Sequence, residues 1–223
     1  MKTLKFLMIP ALFCACLLTT SAIQADKQVE KIHAASNVLR DFGKMKETIP
    51  HNLISEYQGI IIVPKLINAG LGLGGKIGKG VAIVKLDNGK WSDPVFVTLA
   101  GGSIGPQIGV QSVDLVLVFR HKGVLTKVKN GDVTMGGDIS AAAGPVGRTS
   151  SANTDYKLEA EVYSYSRSRG LFVGISINGT SLSIDKKANS AFYGKGMTSQ
   201  DIFAIGKSTS PAVITLKESL AAL

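Results

Sequence analysis

The stretch NAGLGLGGKIGKGVAIV, residues 68–84, decides how the chain is read, because its glycines fit two patterns that lead to different folds. Gly70, four residues and Gly75-Lys76 match most of a phosphate-binding P-loop, and Gly70, Gly72 and Gly75 match G-x-G-x-x-G. A P-loop needs a hydroxyl after the lysine to hold magnesium, and both patterns need a helix whose N-terminus faces the phosphate. Here Ile77 follows Lys76, and Gly78 and Gly80 interrupt any helix. Val81 to Leu86 is instead a β-branched run, closed by the Asn88-Gly89 turn signal. A glycine-rich bend between strands is therefore expected at 68–80, followed by a hairpin.

Working outward from that hairpin, the centre of the chain reads as β-structure. Gly59 to Val63 is expected to be a buried strand stopped by Pro64, Val81 to Leu86 to pair with Trp91 to Ala100, and Val113 to Phe119 to form a further strand. Between the last two lies Gly101 to Gly109, too rich in glycine for a helix. Ala160 to Ser166 and Leu171 to Asn178 flank Arg167-Ser168-Arg169-Gly170, a hairpin turn. Before this core, Val29, Ile32, Ala35, Leu39, Phe42, Met45 and Ile49 recur at helical spacing and Pro50 ends or redirects the helix. After it, Ile202, Phe203, Ile205, Val213, Leu216 and Leu220 restore helical spacing over 198–223. The expected fold is α+β: a curved antiparallel sheet or partial β-barrel over 59–185, with an amphipathic helix at 26–49 and C-terminal helices packed on it.

The first 25 residues have a different character. Lys2 and Lys5 precede an apolar stretch from Phe6 to Leu18, and Ser21-Ala22-Ile23-Gln24-Ala25 leads to the first acidic residue, Asp26. This is the pattern of a secretory signal peptide, with cleavage expected after Ala25 and an exported, periplasmic or envelope-associated product. The alternative is a lipid anchor on Cys16, preceded by Phe13-Cys14-Ala15. Both cysteines lie in this segment, so a chain starting at Asp26 has no disulfide and no thiolate chemistry. The 223 residues carry a formal charge of +9, which falls to +7 without Lys2 and Lys5. A basic balance favours anionic partners, and for an exported protein a phospholipid surface is the natural one.

Catalytic chemistry finds no footing. His33, His51 and His121 have no zinc-binding spacing, no serine sits in a G-x-S-x-G elbow, and nothing calls for a cofactor. Asp114 is the one carboxylate inside an apolar strand, where it must be paired, hydrogen-bonded or at the rim. It fits a structural partner for an arginine better than a catalytic acid. Nucleic acid is not an expected partner, because Trp91, Phe96, Tyr163, Tyr165 and Tyr193 form no recognisable base-stacking motif. Asn178-Gly179-Thr180 fits a glycosylation acceptor, but the turn reading dominates.

Several separate motifs occur in the order found in the SYLF domain family: Ile61-Ile62-Val63-Pro64, Gly70 to Gly80, Trp91-Ser92-Asp93-Pro94, Gly101 to Gly109, Asp114-Leu115-Val116, Gly144-Pro145-Val146-Gly147-Arg148 and Tyr163 to Phe172. The chain resembles that family from about His33 to its end. The resemblance implies a lipid-binding module; eukaryotic members bind phosphoinositides and, in fungal endocytic adaptors, actin filaments, while bacterial members are exported. Two functions follow. One is an envelope module that binds anionic phospholipid; the other is a structural or interaction protein that holds a protein partner. The expected lipid-binding residues are Lys65, Lys76, Lys79, Lys85 and Lys90, five lysines against Asp87 alone, together with Arg148 on its Gly-Pro loop.

Overall fold

The computed structural model describes residues 25–45, 49–128, 133–144, 160–168, 170–173 and 175–223. The expected signal segment with Cys14 and Cys16, and Arg148 with its loop, lie outside these residues. A helix, α1, spans residues 25–43 and is followed by α2 (His51–Glu56). Two long strands come next, β1 (Gly59–Val84) and β2 (Val95–Phe119), then α3 (Gly123–Lys127). The short strands β3 (Val133–Thr134), β4 (Ala141–Ala143), β5 (Val162–Ser168), β6 (Leu171–Phe172) and β7 (Thr180–Ile184) lead into α4 (Lys186–Tyr193), α5 (Ser199–Phe203) and α6 (Pro211–Ala221).

The strands form one strongly curled sheet with helices at both ends of the chain, the expected α+β class. β2 is its spine: β1 runs antiparallel along one side of it, and β7 and β5 share the other side, pairing with 97–101 and 114–119 respectively. One pair, β4 with β5, is parallel.

The glycine run is where the structure departs most from expectation. Residues 68–80 are not a bend between strands; they are the middle of β1, paired with β2 from Gly59↔Phe119 to Ala82↔Val95. Gly101 to Gly109 likewise belongs to β2 rather than to a connection. Strand β1 instead turns within its own length. A Cβ at Gly74 would collide with the Ala69 carbonyl oxygen, and one at Gly80 with the Ile62 carbonyl oxygen. The half after Gly74 thus lies back against the half before it, with Gly78 against Val63 and Leu66. Glycine is needed because backbone meets backbone there. Pro64 does not stop the strand either. The register shifts between Val63 and Leu66, and at that irregularity a residue with no N–H is tolerated. Beside it Lys65 has a φ of 56°, and its N–H donates to Asp114 Oδ1 at 3.1 Å.

Alternating residues of the strands face two apolar layers, which explains the unbroken apolar runs. Ile60, Ile62, Val81, Ile83, Phe96, Val116 and Val118 pack with α1, α2 and α6. Ile61, Val63, Ala82, Val84, Leu115 and Leu117 pack with α3, α5 and the Ile175–Ile177 segment. The first helix ends at residue 43, short of the expected 49, and Pro50 caps α2. The second strand of the late hairpin shrinks to Leu171–Phe172, and Gly170 takes the turn with φ 80°.

Burial pushes the phenols of Tyr57, Tyr165 and Tyr193 up, Tyr57 to about 12. A proton held more tightly in the folded state gives stability that is complete below the unfolded value of about 10 and is lost as pH rises through the folded values. Unfolding midpoints in urea are expected to fall from pH 10 upward, before tyrosinate absorbance at those three residues develops. Midpoints unchanged between pH 9 and 11 would contradict the burial.

Candidate functional site

The five lysines expected to bind lipid do not share one loop. Lys65, Lys76 and Lys79 lie along β1, whereas Lys85 and Lys90 lie at the turn that joins β1 to β2. Lys65 and Lys90 are exposed. Lys85 donates from Nζ to the Ser55 carbonyl at 2.8 Å and sits 5.7 Å from the Trp91 ring centroid. Lys76 is the departure from the surface position expected for it: it is 6% exposed, its ammonium donates to the Ser176 carbonyl oxygen, and burial holds its pKa below the usual lysine value. The alternation along the strand explains this. Lys76 and Gly78 point inward while Leu73, Gly75, Ile77 and Lys79 point outward.

Several charged groups meet around Lys79. Its Nζ lies 2.8 Å from Asp185 Oδ2. Asp185 also caps α4 by accepting the Ala188 N–H at 3.0 Å. Burial works against the charged carboxylate, but the Lys79 and Ala188 hydrogen bonds and the charges of Lys79 and Lys31 more than offset it, holding Asp185 below the usual range. Lys31, on α1, is pushed below the usual lysine value by burial and then by the charges of Lys79 and Lys27, with Asp185 opposing. Lys79 and Lys31 thus both act on Asp185, Lys27 acts on Lys31 along α1, and Lys186 and Lys187 follow Asp185 in the chain. A cavity of about 360 Å³, lined by Lys186, Ser190, Thr198 and Ser199 among others, opens beside α4. Sequence reading reached only Lys79 of this group, because helix α1 and strand β1 are brought together by the fold.

Other ion pairs among the described residues hold elements of the fold together. Arg167 donates from Nε and Nη2 to Asp114 Oδ2 at 3.1 and 2.8 Å, and from Nη2 to Asp41 Oδ2 at 2.6 Å. Asp114 is thus the partner of an arginine, as expected of it, and the clamp ties β2, β5 and α1. Lys217 Nζ sits 2.7 Å from Asp93 Oδ1, and Lys122 pairs with Asp87 at 2.5 Å. His33 and His121 are exposed, and among the described residues no group of three or more His, Cys, Asp or Glu side chains could hold a metal.

The architecture is a curled sheet with β2 as its spine and helices packed on it. The chain matches the Ysc84 family model, described as Las17-binding protein actin regulator, over residues 100–223. It is 34% identical over 185 residues to SH3 domain-containing YSC84-like protein 1 of Bos taurus, covering 80% of this chain and 54% of that one. It is 34% identical over 168 residues to the Xenopus laevis protein of that name, covering 72% and 50%. Against Protein YSC84 of Saccharomyces cerevisiae it is 32% identical over 179 residues, 76% of this chain and 38% of that one. The chain belongs to the Ysc84, or SYLF, family, and spans about half the length of the animal relatives it matches.

Proposed function

We propose that this chain is a lipid-binding module of the cell envelope that recognises anionic phospholipid or phosphoinositide-like head groups through a basic surface. The cluster of Lys79 and Lys31 around Asp185, with Lys27 one helical turn from Lys31 on α1, carries the proposal. Lys31, held below the usual lysine value by burial and then by the neighbouring lysine charges, gains from an approaching anion. The charge of +7 that remains without Lys2 and Lys5 acts in the same direction at longer range. Lys65, Lys85, Lys90 and Arg148 remain proposed contributors, whereas buried Lys76 does not. A glutamate at position 76 would test folding rather than binding, since it would bury a carboxylate against a carbonyl oxygen. An exported location, with the segment before Asp26 as a signal, completes the proposal.

Lys27→Gln with Lys79→Gln is the direct test. Each lysine near an anionic surface contributes about 1 kcal/mol, so the pair is expected to weaken binding to phosphatidylglycerol vesicles about thirtyfold. Binding to phosphatidylcholine vesicles should hardly change. A folded double variant that sediments with anionic vesicles as wild type does would remove this cluster from the proposal.

A second reading has its own support. The family model describes a Las17-binding actin regulator, which is recognition of protein by protein. On this reading the chain is a structural or interaction protein whose curled sheet holds a protein partner.

A further inference from the structure

We propose that the folded corner of the β1–β2 hairpin is a membrane-insertion tip, entering an anionic bilayer at the boundary between head groups and acyl chains. The inference rests on the lipid-binding proposal and adds the orientation of the molecule on the membrane. Among the described residues six large apolar side chains are exposed, and four of them, Ile67, Leu73, Ile77 and Val110, belong to the two arms of this corner. Leu73 and Val110 are the most open, at 75% and 73%. Leu171, 72% exposed, joins them: its cross-strand partner Ser168 donates to the Ser112 carbonyl, two residues along β2 from Val110. Scattered apolar residues on a surface need no explanation, but a group gathered along one hairpin and the strand end beside it does.

Two observations select a membrane as the occupant. The first is charge. From Lys65 to Val84 and from Val95 to Val113 the hairpin carries Lys65, Lys76 and Lys79 and no Asp or Glu. Outward-facing Lys79 follows Leu73 and Ile77 on one face of the strand, and exposed Lys65 precedes Ile67. Apolar tips with basic shoulders match a layer of acyl chains beneath anionic head groups. The second is the backbone. A segment entering hydrocarbon must satisfy its own N–H and C=O groups. Here β1 and β2 pair with each other across the corner, from Leu66↔Val113 to Lys79↔Thr98, with one irregularity between Leu71 and Leu73. Their outer edges have no further strand partner among the described residues from 102 to 113, so the tip goes no deeper than the boundary, where head groups and water satisfy those edges. Carboxylates would be costly at this depth, and the hairpin places none there.

A tryptophan reporter tests the inference on the full chain. The protein has one tryptophan, Trp91, so Leu73→Trp in a Trp91→Phe background reports on the corner alone. With phosphatidylglycerol vesicles its emission should shift to the blue and be quenched by lipids brominated on the acyl chain. Asn88→Trp in the same background, at the exposed turn, should show neither change. Leu73→Ser with Ile77→Ser should keep the thermal melt and weaken vesicle binding at least tenfold. Vesicle binding by wild type, with a water-like and unquenched signal from the Leu73→Trp reporter and an unimpaired serine variant, would overturn this inference while leaving the lipid proposal standing. Failure of wild type to bind anionic vesicles would overturn both. A wild type that self-associates without lipid, and a serine variant that is monomeric, would overturn it by assigning the corner to a second copy of the chain.

Discussion

Lys217→Met is expected to lower the stability of the protein by about 3 kcal/mol, the cost of leaving a buried carboxylate without its partner. The side chain of Asp93 is only 4% exposed and that of Lys217 18% exposed, and Lys217 also donates to the Gly206 carbonyl at 3.2 Å. The pair joins the Trp91-Ser92-Asp93-Pro94 segment to α6. The same segment is held by Ser92 Oγ, which accepts the Val84 N–H, and by Tyr193 Oη, which donates to the Pro94 carbonyl at 2.7 Å. For a domain of this size the melting temperature should fall by about 6–12 °C. Asp93→Asn combined with Lys217→Met should recover most of the loss, because the combination removes both charges. A double variant no more stable than Lys217→Met would show that the lysine acts through packing instead.

Gly80→Ala is expected to cost about 3 kcal/mol or more, although alanine is otherwise the better strand residue. The added methyl would have to displace the Ile62 carbonyl and the Val63 side chain, in a strand locked on both faces by core. Gly75→Ala is the control: its methyl would meet only the Gly101 carbonyl oxygen at 3.7 Å, an ordinary contact. Urea denaturation of the two variants separates a general loss of glycine from a crossing of the strand over itself. Equal midpoints for both would contradict the fold-back.

That crossing also marks the limit of what the sequence discloses. The β-branched run and the Asn88-Gly89 turn located the hairpin of Val81 to Leu86 with Trp91 to Ala100, and the helical spacing located α1 and α6. Local pattern could not tell a glycine run that bends between strands from one that lets a paired strand turn back on itself, because both need the same residue. The distinction lies in contacts between residues such as Gly80 and Ile62, set by tertiary packing. The basic site was half legible for a similar reason. Lysines were visible along β1, but alternation buries Lys76 and exposes Lys79, and the partners of Lys79 come from α1 and the start of α4. The outward strip of Leu73, Ile77 and Lys79 was readable once residues 68–80 are taken as strand, since every second residue then shares a face. Arg167 as the partner of Asp114 required the β2–β5 register, in which the two residues stand opposite each other.

Wild-type binding to vesicles as a function of salt tests the central claim most directly. The full chain should sediment with phosphatidylglycerol vesicles at low ionic strength, bind phosphatidylcholine vesicles only weakly, and lose affinity for the anionic vesicles steadily as salt rises from about 0.05 to 0.5 M, as the Debye length contracts. Equal binding to both vesicle types at every salt concentration, or binding to neither, would contradict recognition of anionic lipid by the lysine cluster.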